Sequence, residues 1–247
     1  MSWTTLGPEF LINTTTTRWQ HSPSVAALTS GGFIVTWSDL SATGGDTDES
    51  AVRGQQYDSS GAQVGAEFLV NTTTTTSQAE SSVAALTGGG FVVTWMDDSA
   101  TGGDTSGGAV RGQRYDSTGA KVGGEFLVNT TTTGGQHSPS VAALTSGGFV
   151  VTWRDDSTTG GDPSGGAVRG QRYDSTGAKV GGEFLVNTTT TSSQYEPSVA
   201  ALTGGGFVVT WRDDSGTGGD TSGAAVRGQQ YDSTGAKVGG EFLVNTT

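Results

Sequence analysis

The sequence predicts an all-β protein, a β-propeller built from four-stranded blades with four blades in the chain. Three observations support this prediction. One unit of 58 residues is written four times, each unit holds four short strand-forming runs separated by turn residues, and the inner runs are apolar at successive positions. Near-identical units stack on one another, and strands that are apolar on both faces are buried on both sides. Blades packed between neighbouring blades meet both requirements.

The period is fixed by aromatic residues. Trp37, Trp95, Trp153 and Trp211 recur every 58 residues, and tyrosines recur at the same interval from Tyr57. We therefore treat residues 1–247 as a single repeat domain. The repeats run approximately over residues 14–71, 72–129, 130–187 and 188–245.

Four strands are predicted within each unit. In the third copy, "SVAAL" and "GFVVTW" flank a Gly-rich turn and predict a hairpin, "AVRGQRYD" follows, and the turn "DSTG" leads to "EFLVN". No run shows a sustained 3.6-residue apolar spacing, so no helix is predicted. A parallel β-helix fits less well because its coils are usually shorter and carry no hairpins. A β-sandwich would not need four near-copies.

The last strand of the unit occurs once more than the others, as an extra N-terminal strand at residues 9–13. This strand is surplus in a simple four-bladed ring. It is expected to fasten the ring by pairing into the last blade, to cover an exposed edge, or to pair with another molecule. The last alternative would give an eight-bladed ring formed by a dimer, or a head-to-tail homo-oligomer, and the sequence leaves these arrangements open.

Charge and composition exclude several classes of partner. The chain has 24 acidic and 12 basic residues, a net charge of -12, and no cysteine. Such a surface repels nucleic acid and anionic membranes. No run of roughly 18 apolar residues is present, so no membrane insertion is expected. The first residues also lack the basic and apolar regions of a classical signal peptide.

The segments "GGFVVTW" and "VRGQRYDSTGAKVGGEFLVNTTT", joined by an Asp/Gly loop, carry a family resemblance. They resemble the repeats of large bacterial adhesin-like proteins that are exported by type I secretion and often contain calcium-binding repeats. The resemblance spans Glu9 to Thr247. It implies an extracellular or cell-surface location without a classical signal peptide. The nonapeptide array of those proteins is absent from this sequence.

Aspartates recur in the Gly-rich loop that follows the second strand of each unit, and they are the candidate metal ligands. They are Asp39, Asp46, Asp97, Asp104, Asp155, Asp162, Asp213 and Asp220. Calcium requires about six to eight oxygen ligands, but the spacing matches neither an EF-hand nor a short nonapeptide array. Two interpretations stay open, a solvated polar turn and a weak Ca²⁺ site. No other cofactor is expected.

Two further sets are candidate ligand-binding residues. Arg53, Arg111, Arg169 and Arg227 are suited to clamping a carboxylate, either of a ligand or of the Glu in the last strand of the unit. Trp37, Trp95, Trp153 and Trp211 end an apolar strand beside the Asp loop. These indoles either stack on a sugar or belong to the core.

Catalysis has little support in the sequence. The two histidines, His21 and His137, do not recur in every repeat, so no His-assisted nucleophile can be built in each unit. We also find no asymmetric carboxylate pair of the kind that cleaves glycosides. The predicted function is a non-catalytic extracellular structural or adhesive module, with stabilisation by calcium as an open alternative. The alternatives are a multivalent lectin with a glycan ligand and a subunit that assembles through its extra strand.

Overall fold

The computed structural model describes residues 8–245, and the ends of the predicted domain, residues 1–7 and 246–247, lie outside it. Between residues 8 and 245 it contains strands and no helix, which leaves no helix able to cross a membrane there. The strands are β1 Gln20–Ala27, β2 Phe33–Asp39, β3 Ala51–Tyr57, β4 Gln63–Leu69, β5 Gln78–Ala85, β6 Phe91–Asp97, β7 Ala109–Tyr115, β8 Lys121–Leu127, β9 Gln136–Ala143, β10 Phe149–Asp155, β11 Ala167–Tyr173, β12 Lys179–Leu185, β13 Gln194–Ala201, β14 Phe207–Asp213, β15 Ala225–Tyr231 and β16 Lys237–Leu243.

These strands form four antiparallel sheets, each made of four strands in chain order. Each sheet is one blade, numbered one to four along the chain. The first two strands of a blade form the predicted hairpin, which Leu144 N closes with a hydrogen bond to Gly148 O at 2.8 Å. The predicted all-β propeller architecture with four-stranded blades is confirmed.

The core lies between consecutive blades, because the inner strands are apolar on both faces. In β10, Val150 packs toward the fourth blade, whereas Phe149 and Val151 pack toward the second blade. Phe149 also stacks on Tyr173 at 4.5 Å between ring centroids. Full burial of such a side chain stabilises the fold by roughly 1.5–3 kcal/mol. The repeated apolar runs therefore hold each blade against the next.

The first and fourth blades each expose a face that the other blades bury. Val25 in β1 is 66% exposed, whereas the equivalent Val83 in β5 is 6% exposed. Val226 in β15 is 42% exposed, whereas the equivalent Val168 in β11 is fully buried. The ring of blades is thus open on one side.

The strand predicted at residues 9–13 does not form in the structure. A strand requires a neighbour with which to exchange backbone hydrogen bonds. Among residues 8–245, no strand lies beside this segment in the way that β3 lies beside β4. The segment instead packs its side chains on the first blade, with Phe10 tilted against Tyr57 at 5.7 Å between ring centroids.

Candidate functional site

The first strand of every blade contains a β-bulge. In β13, Tyr195 pairs with Arg212 and Ser198 pairs with Thr210, so Glu196 and Pro197 together lie opposite one residue of β14. The first residue of each bulge has a left-handed backbone: φ is 52° at Ser22, 55° at Glu80, 50° at Ser138 and 52° at Glu196. Such a conformation costs about 1–3 kcal/mol in a residue other than glycine and is concentrated at functional sites.

The four bulges surround one cavity of about 340 Å³. All four blades contribute to it, which places it where the first strands of the blades converge. Its lining residues are Ser22, Pro23, Glu80, Ser81, Ser138, Pro139, Glu196 and Pro197. We call this space the axial cavity.

Two carboxylates from alternate blades line the axial cavity. Glu80 and Glu196 are both exposed, and serines occupy the equivalent positions in the first and third blades. Glu80 accepts hydrogen bonds from Ser138, from the backbone N–H at 2.8 Å and from Oγ at 3.3 Å. The four repeats are therefore not equivalent at this position. An alignment of the four repeats would have revealed the Ser, Glu, Ser, Glu alternation.

Charged and aromatic groups lie at the ends of the strands that carry the bulges. His137 Nε2 is 3.6 Å from Asp156 Oδ2, and Tyr195 lies between the guanidinium groups of Arg154 and Arg212, at 4.9 and 5.1 Å from its ring centroid. The two distances from the guanidinium groups to the Tyr195 ring are typical of cation–π interactions.

One nearby carboxyl group has a perturbed acidity. Burial raises the pKa of Asp98, and nearby Asp97, Glu49 and Glu80 act in the same direction, whereas His137 opposes the shift. A carboxyl whose pKa is raised holds its proton to higher pH, which favours proton donation.

The predicted metal ligands at the end of each second strand belong to a buried hydrogen-bond network. In the third blade, Asp155 Oδ1 accepts from Gln136 at 3.0 Å and from Ser157 N at 3.2 Å, while Oδ2 accepts from Arg169 at 2.5 Å and from Ser157 Oγ at 2.6 Å. The same network surrounds the equivalent residues Asp39, Asp97 and Asp213. Burial alone would raise the pKa of Asp39, but hydrogen bonds from Ser41, Gln20 and Arg53 outweigh it and lower that pKa.

The second aspartate of each loop also has partners within the protein. Asp162 Oδ2 accepts from Asn187 at 2.8 Å and its Oδ1 from Ser164 N at 3.2 Å. The equivalent residues Asp46, Asp104 and Asp220 have the same contacts. Between residues 8 and 245, no group of three or more His, Asp or Glu side chains is arranged to hold a metal ion. Calcium binding by these loops stays a prediction.

The candidate arginines and tryptophans are buried within the blades. Arg169 is paired with Asp155 at 2.5 Å and with Glu183 at 3.5 Å, and the arginines of the other three blades make the same two pairs. The structure therefore gives these arginines a protein partner, including the Glu of the last strand. Trp95 and Trp153 are fully buried, and Trp37 and Trp211 are at most 3% exposed, so their rings are not available for stacking on a sugar.

Comparisons with known proteins begin with sequence. The sequence matches no known protein family, and no curated protein matches it.

Solved structures, in contrast, match along most of the chain. A GH43 endo-arabinanase from Bacillus licheniformis is 14% identical with a TM-score of 0.52, and the match covers 96% of this chain and 83% of that one. An alpha-L-arabinofuranosidase from Lactobacillus brevis is 13% identical with a TM-score of 0.51, over 89% of this chain and 76% of that one. The chain shares the β-propeller fold of these two proteins.

A third propeller, the xylan beta-1,4-xylosidase from Bacillus halodurans C-125, has a TM-score of 0.54 at 13% identity, over 88% of this chain and 42% of that one. These matches correct two expectations. The resemblance to calcium-binding, adhesin-like repeats is wrong, because the solved structures named above, which this chain resembles, are glycoside hydrolases. The expectation of a non-catalytic adhesive module is overturned by the same finding. A glycan ligand is consistent with these matches, and assembly through the extra strand stays a prediction.

Proposed function

We propose that this propeller hydrolyses a glycosidic bond in the axial cavity, with Glu80 and Glu196 as the reacting carboxyl groups. The observation that carries the proposal is their placement. Two glutamates from alternate blades line one cavity, and each is held there by a backbone conformation that opposes folding. The same left-handed backbone occurs at Ser22 and Ser138, so the bulge is common to all four blades, and what distinguishes Glu80 and Glu196 is the carboxyl group that each places in the cavity.

Hydrolysis of a glycoside by two carboxyl groups assigns one role to each. One group donates its proton to the leaving oxygen as the bond from that oxygen to the anomeric carbon breaks. We propose the inverting reaction, in which the other takes a proton from the water whose oxygen forms the new bond to the anomeric carbon. Glu80 accepts two hydrogen bonds from Ser138, as an ionised carboxylate does, so we assign it the role of base. Glu196 is then the proton donor.

The comparisons support a sugar as the substrate class. The printed names of the proteins that share the fold include arabinanase, arabinofuranosidase and xylosidase. We therefore propose pentose-containing polysaccharides, arabinan and xylan, as the first substrates to examine. An extracellular location, where such polymers occur, remains a prediction.

The test is release of reducing sugar from arabinan and xylan by the purified chain and by two variants, Glu80→Gln and Glu196→Gln. Loss of a general acid or base lowers the rate by about 10²- to 10⁴-fold, and we expect a loss of that size in both variants. Glutamine preserves the shape of the side chain, so the melting temperatures should agree with that of the wild type.

Glu49→Gln is the matched control. Glu49 is exposed, has a left-handed backbone as well, and lies outside the axial cavity, so this variant should keep full activity. If all three variants were as active as the wild type, neither Glu80 nor Glu196 would take part in the reaction. No hydrolysis of either polymer by the wild type would overturn the proposal.

A further inference from the structure

The N-terminal segment repeats the contacts of an outer strand. Phe10 packs on Tyr57 at 5.7 Å as Phe68 packs on Tyr115 at 5.5 Å. Thr14 N donates to Glu67 of the first blade at 2.8 Å, just as Thr72 N, which follows β4, donates to Glu125 of the second blade at 2.7 Å. Residues 8–15 therefore occupy the position that the fourth strand of a preceding blade would have.

The side of this segment that faces away from the first blade lacks a neighbour. In the first blade, β4 pairs with β3. By contrast, the backbone N–H groups of Phe10, Leu11 and Ile12 donate no hydrogen bond to any residue in the 8–245 range. Phe10 is 53% exposed and Leu11 is 65% exposed. An unpaired edge of this kind is a template for another strand.

The two open faces of the propeller are chemically complementary. At each interface between blades, a valine in the first strand of the later blade donates its N–H to a serine of the earlier blade, as Val199 N does to Ser140 Oγ at 3.1 Å. The next acceptor in this series is Ser198, on the open side of the fourth blade, and the next donor is Val25, on the open side of the first blade. Both faces also expose apolar side chains: Val25 on the first blade is 66% exposed, and Val226 and Val244 on the fourth blade are 42% and 48% exposed.

We propose that the opening accepts a three-stranded antiparallel unit with the sequence pattern of β13–β15, which completes one further blade. Its third strand would pair with residues 9–13, its front face would cover the fourth blade, and its back face would cover Val25. A second copy of the chain fits less well, because its own β15 is already paired with β16. This inference does not depend on the proposed hydrolysis.

The test adds such a unit to the chain itself. The chain is extended at its C-terminus by a second copy of residues 190–231, which continues the period of the repeat without a break. We expect a higher melting temperature than that of the original chain, and amide exchange at residues 9–13 slower by more than about tenfold, because these groups become hydrogen-bonded.

Val25→Asp is the matched variant. In the original chain Val25 is 66% exposed, so the substitution should leave the melting temperature unchanged. In the extended chain it should remove most of the gain, because it buries a charge in the new interface. As a second arm, a free peptide with the sequence of residues 190–231 should bind with one peptide per chain.

Two outcomes would overturn the proposal. In the first, the amides of the added residues and of residues 9–13 in the extended chain exchange freely with solvent, and the free peptide does not bind. The other is an original chain that is already dimeric in solution with residues 9–13 protected, since a second copy would then fill the opening.

Discussion

Arg169 and Asp155 illustrate how one residue pair is used in every blade. Arg169 is 4% exposed and Asp155 fully buried, and their ion pair is extended by Glu183, Ser157 and Gln136. Buried charges are tolerated when their hydrogen bonds are satisfied. The network fixes the loop after the second strand, and this explains why the loop sequence changes little between repeats.

Asp155→Ala should therefore lower the free energy of unfolding by about 3–5 kcal/mol, because it leaves the buried Arg169 without its closest partner. Urea denaturation monitored by tryptophan fluorescence measures this change. Asp174→Ala, at a partly exposed turn residue, is the control and should cost much less. Equal losses in the two variants would mean that the buried pair contributes nothing specific.

The turn aspartates determine part of the pH dependence. Hydrogen bonds from Thr176 Oγ1, from the backbone of Ala178 and from Thr176 N lower the pKa of Asp174 below its ordinary value of 3.8. A carboxyl with a lowered folded-state pKa contributes stability above its unfolded pKa, and loses it as the pH falls through the folded pKa. We expect Asp174→Asn to be less stable than the wild type at pH 6, with a difference that narrows below about pH 4. Thermal melts of both proteins between pH 2 and 6 provide the measurement, and a difference that widens in acid would contradict it.

At the scale of the element, the hairpin between the first two strands depends on close backbone approach. A Cβ on Gly148 would lie 2.0 Å from Tyr173 O, and the equivalent Gly206 is confined in the same way by Tyr231 O. A methyl group cannot be placed there without moving the strand. The Gly-rich turn that the sequence predicts is thus a packing requirement as well as a turn signal.

Gly148→Ala should lower the free energy of unfolding by about 2–3 kcal/mol, because the added methyl group meets backbone that cannot move freely. Gly182→Ala is the matched control, since nothing lies within 4 Å of the position a Cβ would occupy there. Alanine at residue 182 should leave stability unchanged or raise it by up to about 1 kcal/mol. Chemical denaturation of both variants compares them, and a tolerated alanine at residue 148 would show that the hairpin can shift.

At the scale of the whole molecule, the sequence by itself determined the blades. The 58-residue period, the doubly apolar strands and the turn residues specify each four-stranded sheet and its packing, because these are local patterns repeated in every unit. The sequence also allowed the pairing of each Arg with the Glu of the last strand to be considered as one of two alternatives, because a buried charge requires a partner.

Only the tertiary structure decided where the units meet. The axial cavity joins residues that are 58 or more positions apart, and a bulge turns Glu80 and Glu196 toward it although each resembles an ordinary strand residue in the sequence. The N-terminal segment likewise has the sequence of a strand but lacks a partner to pair with. Strand pairing and site formation depend on what lies opposite a residue in space, and in an open ring the first and last blades lack the neighbours that the repeat pattern assumes.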